Sequence, residues 1–280
     1  MRSDFAVLIL THGRAHDQVT FHELEKHGYT GNVYLVIDDL DEQRDEYERL
    51  YGDSVIVFDK REYARRIDTM TTEDELRSVV FARNAAYDIA GDLGLSYFAM
   101  FDDDLSSFTF RYVRDGRLVS APVTEFDALF ESMVGFLETT CVTSLNIASS
   151  GALIGGLAGV YGNGMCWNIN QALVVRASDR LKFVGILNED MNALLLGKDA
   201  GQVMLEAYAI TKSTPQRGTN DGGLHSLYDD NKQYVRDFYS VIIDPSSLKV
   251  IVKRDGTSLR KSKALLYPKI ISGRWKKNAQ

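Results

Sequence analysis

Residues 95–104 read LSYFAMFDDD, an apolar run that ends in three consecutive carboxylates, Asp102, Asp103 and Asp104. The apolar run is typical of a buried strand, and the acids come where that strand ends. Three adjacent carboxylates repel one another unless a cation lies between them, and a hard divalent cation takes oxygen ligands and holds phosphate oxygens. The stretch therefore predicts a nucleotide-phosphate site, with an acidic turn that caps the next segment as the alternative.

The residues before this stretch alternate between apolar runs and helical segments. Thr72 and Glu75 have the spacing of a capping box at the start of the longest helical segment. Strands that alternate with helices predict βαβ units and a mostly parallel sheet. The predicted strands are 5–11, 32–37, 54–58 and 95–101, and the predicted helices are 17–28, 41–51 and 73–91.

Each of these four strands ends in polar residues. Ligands of parallel sheets gather beyond the carboxyl ends of the strands, so these residues are expected at one site. The convergence favours a binding site over an acidic turn. The polar strand ends are THGR at 11–14, Asp38-Asp39, Asp59-Lys60 and DDD at 102–104.

The pattern after residue 105 is less regular. Arg114-Asp115-Gly116 predicts a hairpin turn between strands at 108–113 and 117–119. Helical periodicity follows at 124–138. Further strands are predicted at 141–147 and 166–176, on either side of a glycine-rich stretch.

Charge is distributed unevenly along the 280 residues, whose net charge is −7. Residues 245–280 carry ten Lys or Arg residues against Asp255 alone. A basic segment on an acidic body suggests a polyanionic partner, with a solubilising tail as the alternative. Tyr267 and Trp275 favour nucleic acid, because aromatic rings stack on bases.

Several classes of protein are disfavoured by composition. Two cysteines without a Cys/His cluster argue against a structural zinc site. Residues 139–175 carry no charge, but they contain no apolar run of the roughly 18 residues that a membrane span needs. No secretory signal is recognised near Phe5–Leu10. We therefore expect a cytoplasmic protein without a membrane partner.

Taken together, these motifs resemble GT-A glycosyltransferases. More narrowly, the chain resembles the TET/JBP-associated glycosyltransferases, found mostly in tailed phages, which add sugars to hydroxymethylated pyrimidines in DNA. The resemblance covers nearly the whole chain, and it implies the host cytoplasm as the location if a phage encodes the protein. It rests on LILTHGRA at 8–15, GYTGNVYLVIDD at 28–39, YGDSVIVFDK at 51–60, RSVVFARNAAYDIA at 77–90, FDDD at 101–104 and NEDMN at 188–192.

The resemblance implies an α/β GT-A fold: a Rossmann-like, mostly parallel central sheet with a second, smaller sheet on the acceptor side. Residues 1–244 would form the glycosyltransferase domain, with a nucleotide-binding half at 1–104 and an acceptor half at 105–244. Residues 245–280 would be a basic C-terminal segment.

The resemblance also implies a set of donor-binding residues. A surface position for Arg14 and a structural ion pair between Arg83 and an acid of the DDD run remain open alternatives. The implied donor-binding residues are Thr11, His12, Gly13, Arg14, Asp38, Asp39, Lys60, Arg83, Asn84, Asp102, Asp103 and Arg217.

A Mn²⁺ or Mg²⁺ ion is implied at Asp104, with Asp102 and His225 as further ligands. Such an ion would bridge the two phosphates of the donor and neutralise the departing diphosphate. Three acids in a row leave the register open, and a lone histidine such as His225 is often structural.

Asp190 is implied as the general base that deprotonates the acceptor hydroxyl, with Glu189 as the second candidate. The alternative is that both acids simply favour the start of a helix. The acceptor base would be extruded from the duplex and contacted by side chains of the glycine-rich stretch, which could equally be a plain buried loop. The acceptor candidates are Tyr161, Asn163, Trp167 and Asn168.

The leading hypothesis is an inverting, metal-dependent transfer of a hexose from a nucleoside-diphosphate sugar to DNA. The hexose would be glucose from UDP-glucose, and the acceptor 5-hydroxymethylcytosine or 5-hydroxymethyluracil. The alternatives are a GT-A enzyme that acts on a polysaccharide or protein, a nucleotidyltransferase, and a DNA-binding module without catalysis.

Overall fold

The computed structural model describes residues 1–71, 74–153, 155–156, 169–214, 233–254 and 258–262. Its strands are β1 (Phe5–Leu10), β2 (Asn32–Asp38), β3 (Val55–Phe58), β4 (Tyr97–Asp102), β5 (Ser106–Arg114), β6 (Arg117–Pro122), β7 (Val142–Ser149), β8 (Ala172–Arg176), β9 (Val203–Ser213), β10 (Leu248–Val252) and β11 (Ser258–Ser262). Its helices are α1 (Val19–Lys26), α2 (Arg44–Tyr51), α3 (Lys60–Arg66), α4 (Val80–Asp92), α5 (Phe126–Thr139), α6 (Glu189–Asp199) and α7 (Gln233–Ile243).

A nine-stranded sheet lies at the centre, in the order β3-β2-β1-β4-β8-β7-β9-β5-β6. The first four strands pair in parallel, as the sequence predicts. Only β5 and β8 run against the common direction of the other strands. The mostly parallel α/β fold class is thus confirmed. The strands of the second half extend this same sheet, and the smaller sheet is the antiparallel pair β10–β11.

Strand β1 is buried on both faces, which explains its continuous apolar sequence. Phe5, Val7 and Ile9 pack in one core with residues of α1 and α5. The alternate residues of the strand pack in a second core with α3, α4 and α6. Two helical layers therefore fix the position of the sheet, and with it the edge at which the parallel strands end.

The hairpin predicted at Arg114-Asp115-Gly116 is confirmed. Strands β5 and β6 pair from Thr109–Pro122 to Arg114–Arg117. Asp115 and Gly116 have φ values of 52° and 71°, the left-handed conformation that a two-residue hairpin turn of this type requires.

The predicted helix 73–91 is wrong at its start, because α4 begins only at Val80. Ser78 donates from its hydroxyl to the carbonyl oxygen of Ile186, at 3.1 Å, and accepts from the backbone N–H of Val80. The Glu75 carboxylate accepts from the backbone N–H of Arg77. These contacts replace the expected capping box, whose residue Thr72 lies outside the described residues.

Other differences concern element limits. The strand predicted at 166–176 is observed only from Ala172. Sequence analysis assigned no element to β9, α3 or α7. Within the part of the chain that the structure describes, no helix is long and apolar enough to cross a membrane.

Candidate active site

The loop after β1 is held to the acidic run by Asp103. Thr11 Oγ1 donates to Asp103 Oδ2 at 2.7 Å, and Arg14 Nη1 donates to Asp103 Oδ1 at 2.7 Å. Gln18 Nε2 donates to Thr11 Oγ1 at 2.8 Å. Both oxygens of Asp103 are therefore engaged within the protein, and Arg14 is an ion-pair partner of the acidic run and not a surface cation.

The backbone of the same loop is fixed by two residues that sequence analysis did not single out. The Tyr47 hydroxyl accepts from the backbone N–H of Arg14 at 2.9 Å, and Asp41 Oδ2 accepts from that of Gly13 at 2.8 Å. Gly13 has a φ of 68°, which favours glycine. Burial of Tyr47 raises the pKa of its hydroxyl, which stays neutral and can donate to Thr11.

Of the two acids at the end of β2, Asp38 is buried and Asp39 is exposed. Asp38 Oδ2 lies 2.7 Å from His12 Nδ1 and accepts from Lys60 Nζ at 3.0 Å. Burial opposes ionisation, but the hydrogen bond from His12 and the charge of Lys60 keep the pKa of Asp38 below its ordinary value. Asp39 is exposed, and its Oδ1 accepts from the backbone N–H of Lys60. Asp38 thus orients His12 and Lys60, whereas Asp39 faces solvent.

Arg83 links the acidic run to the acid pair at the start of α6. Its guanidinium donates from Nη2 to Asp102 Oδ1 at 3.2 Å and from Nε to Glu189 Oε1 at 3.1 Å. Desolvation by the surrounding protein raises the pKa of Asp102 to about 6, against the opposing charge of Arg83. Burial likewise raises the pKa of Glu189, again against Arg83. The ion pair weighed as an alternative for Arg83 is therefore present.

Asp190 is more accessible than Glu189. The chain turns sharply at Asn188, whose φ is 54°, and α6 begins with the two acids. Glu189 is buried, whereas Asp190 is half-buried and its Oδ1 accepts from the backbone N–H of Met191 at 2.6 Å. Of the pair, Asp190 is therefore the better placed to meet a substrate hydroxyl.

Asp102 and Asp104 are the acids of the run that could hold a metal ion. Their side chains are each 25% exposed, against 7% for Asp103. Asp104 Oδ2 lies 3.9 Å from Arg14 Nη1. Carboxylate oxygens suit Mn²⁺ and Mg²⁺. Among the described residues, no three His, Cys, Asp or Glu side chains gather as a metal site.

Two outcomes remain for the other predicted site residues. Asn84 makes structural hydrogen bonds, and six residues lie outside the described part of the chain. Asn84 is buried on α4, where its amide nitrogen donates to the carbonyl oxygens of Val80 and Phe183 at 2.8 and 3.0 Å. Its amide group thus joins α4 to the segment before α6. The predictions that fall outside the described residues concern Arg217, His225, Tyr161, Asn163, Trp167 and Asn168.

Sequence analysis also missed Lys212, near the end of β9, and Gln171, just before β8. Lys212 Nζ donates to Gln171 Oε1 at 2.8 Å, and the Gln171 carbonyl oxygen accepts from the backbone N–H of Asp102 at 2.9 Å. No local sequence signal marks either residue, because strands from distant parts of the chain bring them to the acidic run.

The sheet and its acidic edge define an α/β protein whose polar side chains gather beyond the carboxyl ends of parallel strands, where sheets of this kind bind their ligands. The TET-Associated Glycosyltransferase family matches residues 5–220, and the chain belongs to this family. The resemblance inferred from the motifs is thereby confirmed. The prediction of a glycosyltransferase is confirmed at the level of the family.

Solved structures with similar folds share little sequence with the chain. The mannosyltransferase PcManGT from Pyrobaculum calidifontis, in complex with GDP-Man and Mn²⁺, is 12% identical with a TM-score of 0.49, over 78% of this chain and 59% of that one. The glucosyl-3-phosphoglycerate synthase from Mycobacterium tuberculosis, in complex with Mn²⁺ and UDP-glucose, is 12% identical with a TM-score of 0.44, over 93% and 86%. The chain thus spans 59% of the length of PcManGT. No curated protein sequence matches it.

Proposed function

We propose that this protein transfers a hexose, glucose from UDP-glucose, to the hydroxymethyl group of a 5-hydroxymethylpyrimidine in DNA, with inversion at the anomeric carbon. The observation that carries the proposal is the position of Arg83, which joins Asp102 to Glu189. It brings the acids suited to a metal ion and the acids suited to a general base to one edge of the sheet. Membership of the glycosyltransferase family supports the same reaction class.

Asp104 and Asp102 would hold a Mn²⁺ or Mg²⁺ ion, since their partly exposed carboxylates offer the hard oxygen ligands that these ions prefer. His225 is proposed as a third ligand. When bound, such an ion supplies Lewis-acid stabilisation of the diphosphate leaving group. Asp103 stays within the protein and orients Thr11 and Arg14.

The donor nucleotide would lie along the loop after β1. Gly13 allows the backbone to approach the phosphates closely, and the exposed Asp39 would accept from the ribose or base. His12 and Lys60, both oriented by Asp38, would add positive charge on the same side. Arg217 is proposed to join the diphosphate from the second half.

In the transfer step, the acceptor hydroxyl oxygen attacks the anomeric carbon of the sugar. Asp190 takes the proton of that hydroxyl, and the bond between the anomeric carbon and the β-phosphate oxygen breaks on the opposite face. Glu189 remains paired with Arg83 and keeps the first turn of α6 in position. A single displacement of this kind inverts the anomeric configuration.

DNA as the acceptor is supported by the family and by charge. A hydroxymethyl group within a duplex is shielded, so the enzyme would extrude the base into a pocket. Tyr161, Asn163, Trp167 and Asn168 are proposed to contact it. The basic segment 245–280, which includes β10 and β11, would hold the DNA backbone.

The direct test is to incubate the protein with Mn²⁺, a panel of UDP-sugars and duplexes that contain 5-hydroxymethylcytosine or 5-hydroxymethyluracil. Mass spectrometry of the digested nucleosides should show one added hexose. No hexose should be added to an unmodified duplex, or to any duplex by the Asp190→Asn variant. Transfer to a polysaccharide or protein alone would contradict the DNA acceptor. Addition of a nucleotide mass would indicate a nucleotidyltransferase.

A further inference from the structure

Lys212 is a buried cation near the acidic run, and the proposed mechanism assigns it no role. It lies next to the last residue of β9, and only 1% of its surface is exposed. Lysine is almost never buried to this degree unless it is paired, because removing an ammonium from water is costly. The position therefore calls for an explanation.

Strand pairing places Lys212 at the acidic edge. The next residue, Ser213, pairs with Ser106, two positions after Asp104. Gln171 joins the ammonium to Asp102, since its side chain accepts from Lys212 and its carbonyl oxygen accepts from the backbone of Asp102. Burial lowers the pKa of Lys212, while the charges of Asp102 and Asp104 oppose that shift.

Two other cations that contact the acidic run, Arg14 and Arg83, are already engaged. Arg14 donates to Asp103, and Arg83 donates to Asp102 and Glu189. Within the described residues, Lys212 has no carboxylate within ion-pair distance, and its hydrogen bond goes to the neutral amide of Gln171. An ammonium has three donors, so Lys212 retains the capacity to bind an anion.

We propose that the Lys212 ammonium binds the β-phosphate of the nucleoside-diphosphate sugar and neutralises the charge that develops there during transfer. This inference rests on the proposed function. As the bond from the anomeric carbon to the β-phosphate oxygen breaks, its electron pair stays on that oxygen, and the diphosphate gains one negative charge. The acceptor proton goes to Asp190, so Lys212 keeps its own protons and acts by charge and hydrogen bonding.

A comparison of UDP with UMP isolates the β-phosphate. Isothermal titrations in Mn²⁺ would use the unchanged protein, Lys212→Met and the exposed control Lys182→Met. A hydrogen bond to a charged group implies that Lys212→Met weakens UDP binding by about 10- to 100-fold. It should leave UMP binding unchanged, and Lys182→Met should leave both unchanged. Lys212→Arg should recover part of the UDP affinity.

Loss of folding is separable from loss of binding, because Met removes the cost of burying the Lys212 ammonium, whose hydrogen-bond partner Gln171 is neutral. The urea concentration at the unfolding midpoint of Lys212→Met should therefore equal or exceed that of the unchanged protein. Unchanged UDP affinity in this variant, or an equal loss for UDP and UMP, would overturn the inference and leave the donor site standing. Failure of the unchanged protein to bind UDP would instead overturn the donor site, and the role of Lys212 with it.

Discussion

Arg83 and Glu189, which lie 106 positions apart in sequence, are joined by a buried hydrogen bond of 3.1 Å from Nε to Oε1. The same guanidinium reaches Asp102 at 3.2 Å. The acidic run after β4 and the acid pair of α6 are thus held by one side chain that is only 3% exposed. The relative position of the two acid sets depends on this residue.

Replacing Arg83 with Gln should cost about 3–5 kcal/mol in the free energy of unfolding, because it leaves the buried carboxylate of Glu189 and the partly buried carboxylate of Asp102 without their cation. Urea unfolding at neutral pH measures this cost. Arg66→Gln is the matched control, since Arg66 forms ion pairs with Glu62 and Asp88 and its side chain is 51% exposed. Exposed pairs contribute about 0–1 kcal/mol. Equal losses for the two variants would contradict the role assigned to Arg83.

Thr11→Val removes a hydroxyl that contacts Asp103, Tyr47 and Gln18 while nearly preserving the shape of the side chain. Because these buried partners lose a hydrogen bond, we expect a loss of about 1–3 kcal/mol in unfolding free energy. Thr139→Val, at an exposed position near the end of α5, is the control and should change little. The prediction fails if both variants unfold at the same urea concentration.

Asp190→Asn should leave UDP binding intact and lower the rate of sugar transfer by at least about 100-fold, since a general base contributes on this order. Single-turnover kinetics together with titration of UDP separates the two effects. Glu189→Gln is the comparison, because it alters the partner of Arg83 while keeping Asp190. Full activity of Asp190→Asn with loss of activity in Glu189→Gln would assign the base to Glu189.

The contact between α6 and the segment after α7 should make stability depend on pH. Burial alone would raise the pKa of Asp244, but hydrogen bonds from Lys198, Ser246 and Ser247 keep it well below its usual range. A depressed pKa contributes stability above the pKa of the unfolded chain, about 3.9, and that stability is lost as the pH falls.

For this contact, the difference in unfolding free energy between the unchanged protein and Asp244→Asn should be about 1 kcal/mol smaller at pH 3 than at pH 7. Urea titrations at the two pH values measure it. The Lys198–Asp244 pair, at 2.6 Å, is the main contact removed. A difference that does not vary with pH would argue against this ion pair.

The nucleotide-binding half could be predicted from sequence because its signals are local. All six residues of β1 are buried, so the strand appears as an unbroken apolar run. The parallel strands then bring their polar ends to one edge, as the pattern predicts. Helix α3 also has a local signal, an aspartate before its first residue: the Asp59 side chain accepts from the backbone N–H of Glu62, the geometry of an N-cap.

Long-range contacts set the features that could not be predicted. The helix predicted from residue 73 begins only at Val80, because Ser78 just before it bonds to Ile186, 108 residues away in sequence. Lys212, buried in β9, bonds to Gln171, which lies 41 residues earlier. The register of the acidic run was open for the same reason, since Thr11 and Arg14 determine that Asp103 turns inward.

Asp104 and Asp102 are proposed to form a metal-dependent diphosphate site, and UDP binding by Asp104→Ala tests this most directly. Isothermal titration should show that the unchanged protein binds UDP in Mn²⁺ and loses this binding when the ion is chelated. Asp104→Ala should lose it in Mn²⁺ while still unfolding cooperatively in urea. Asp115→Asn, at the exposed hairpin turn, should bind normally. Binding of UDP by Asp104→Ala with unchanged affinity in Mn²⁺ would contradict the claim.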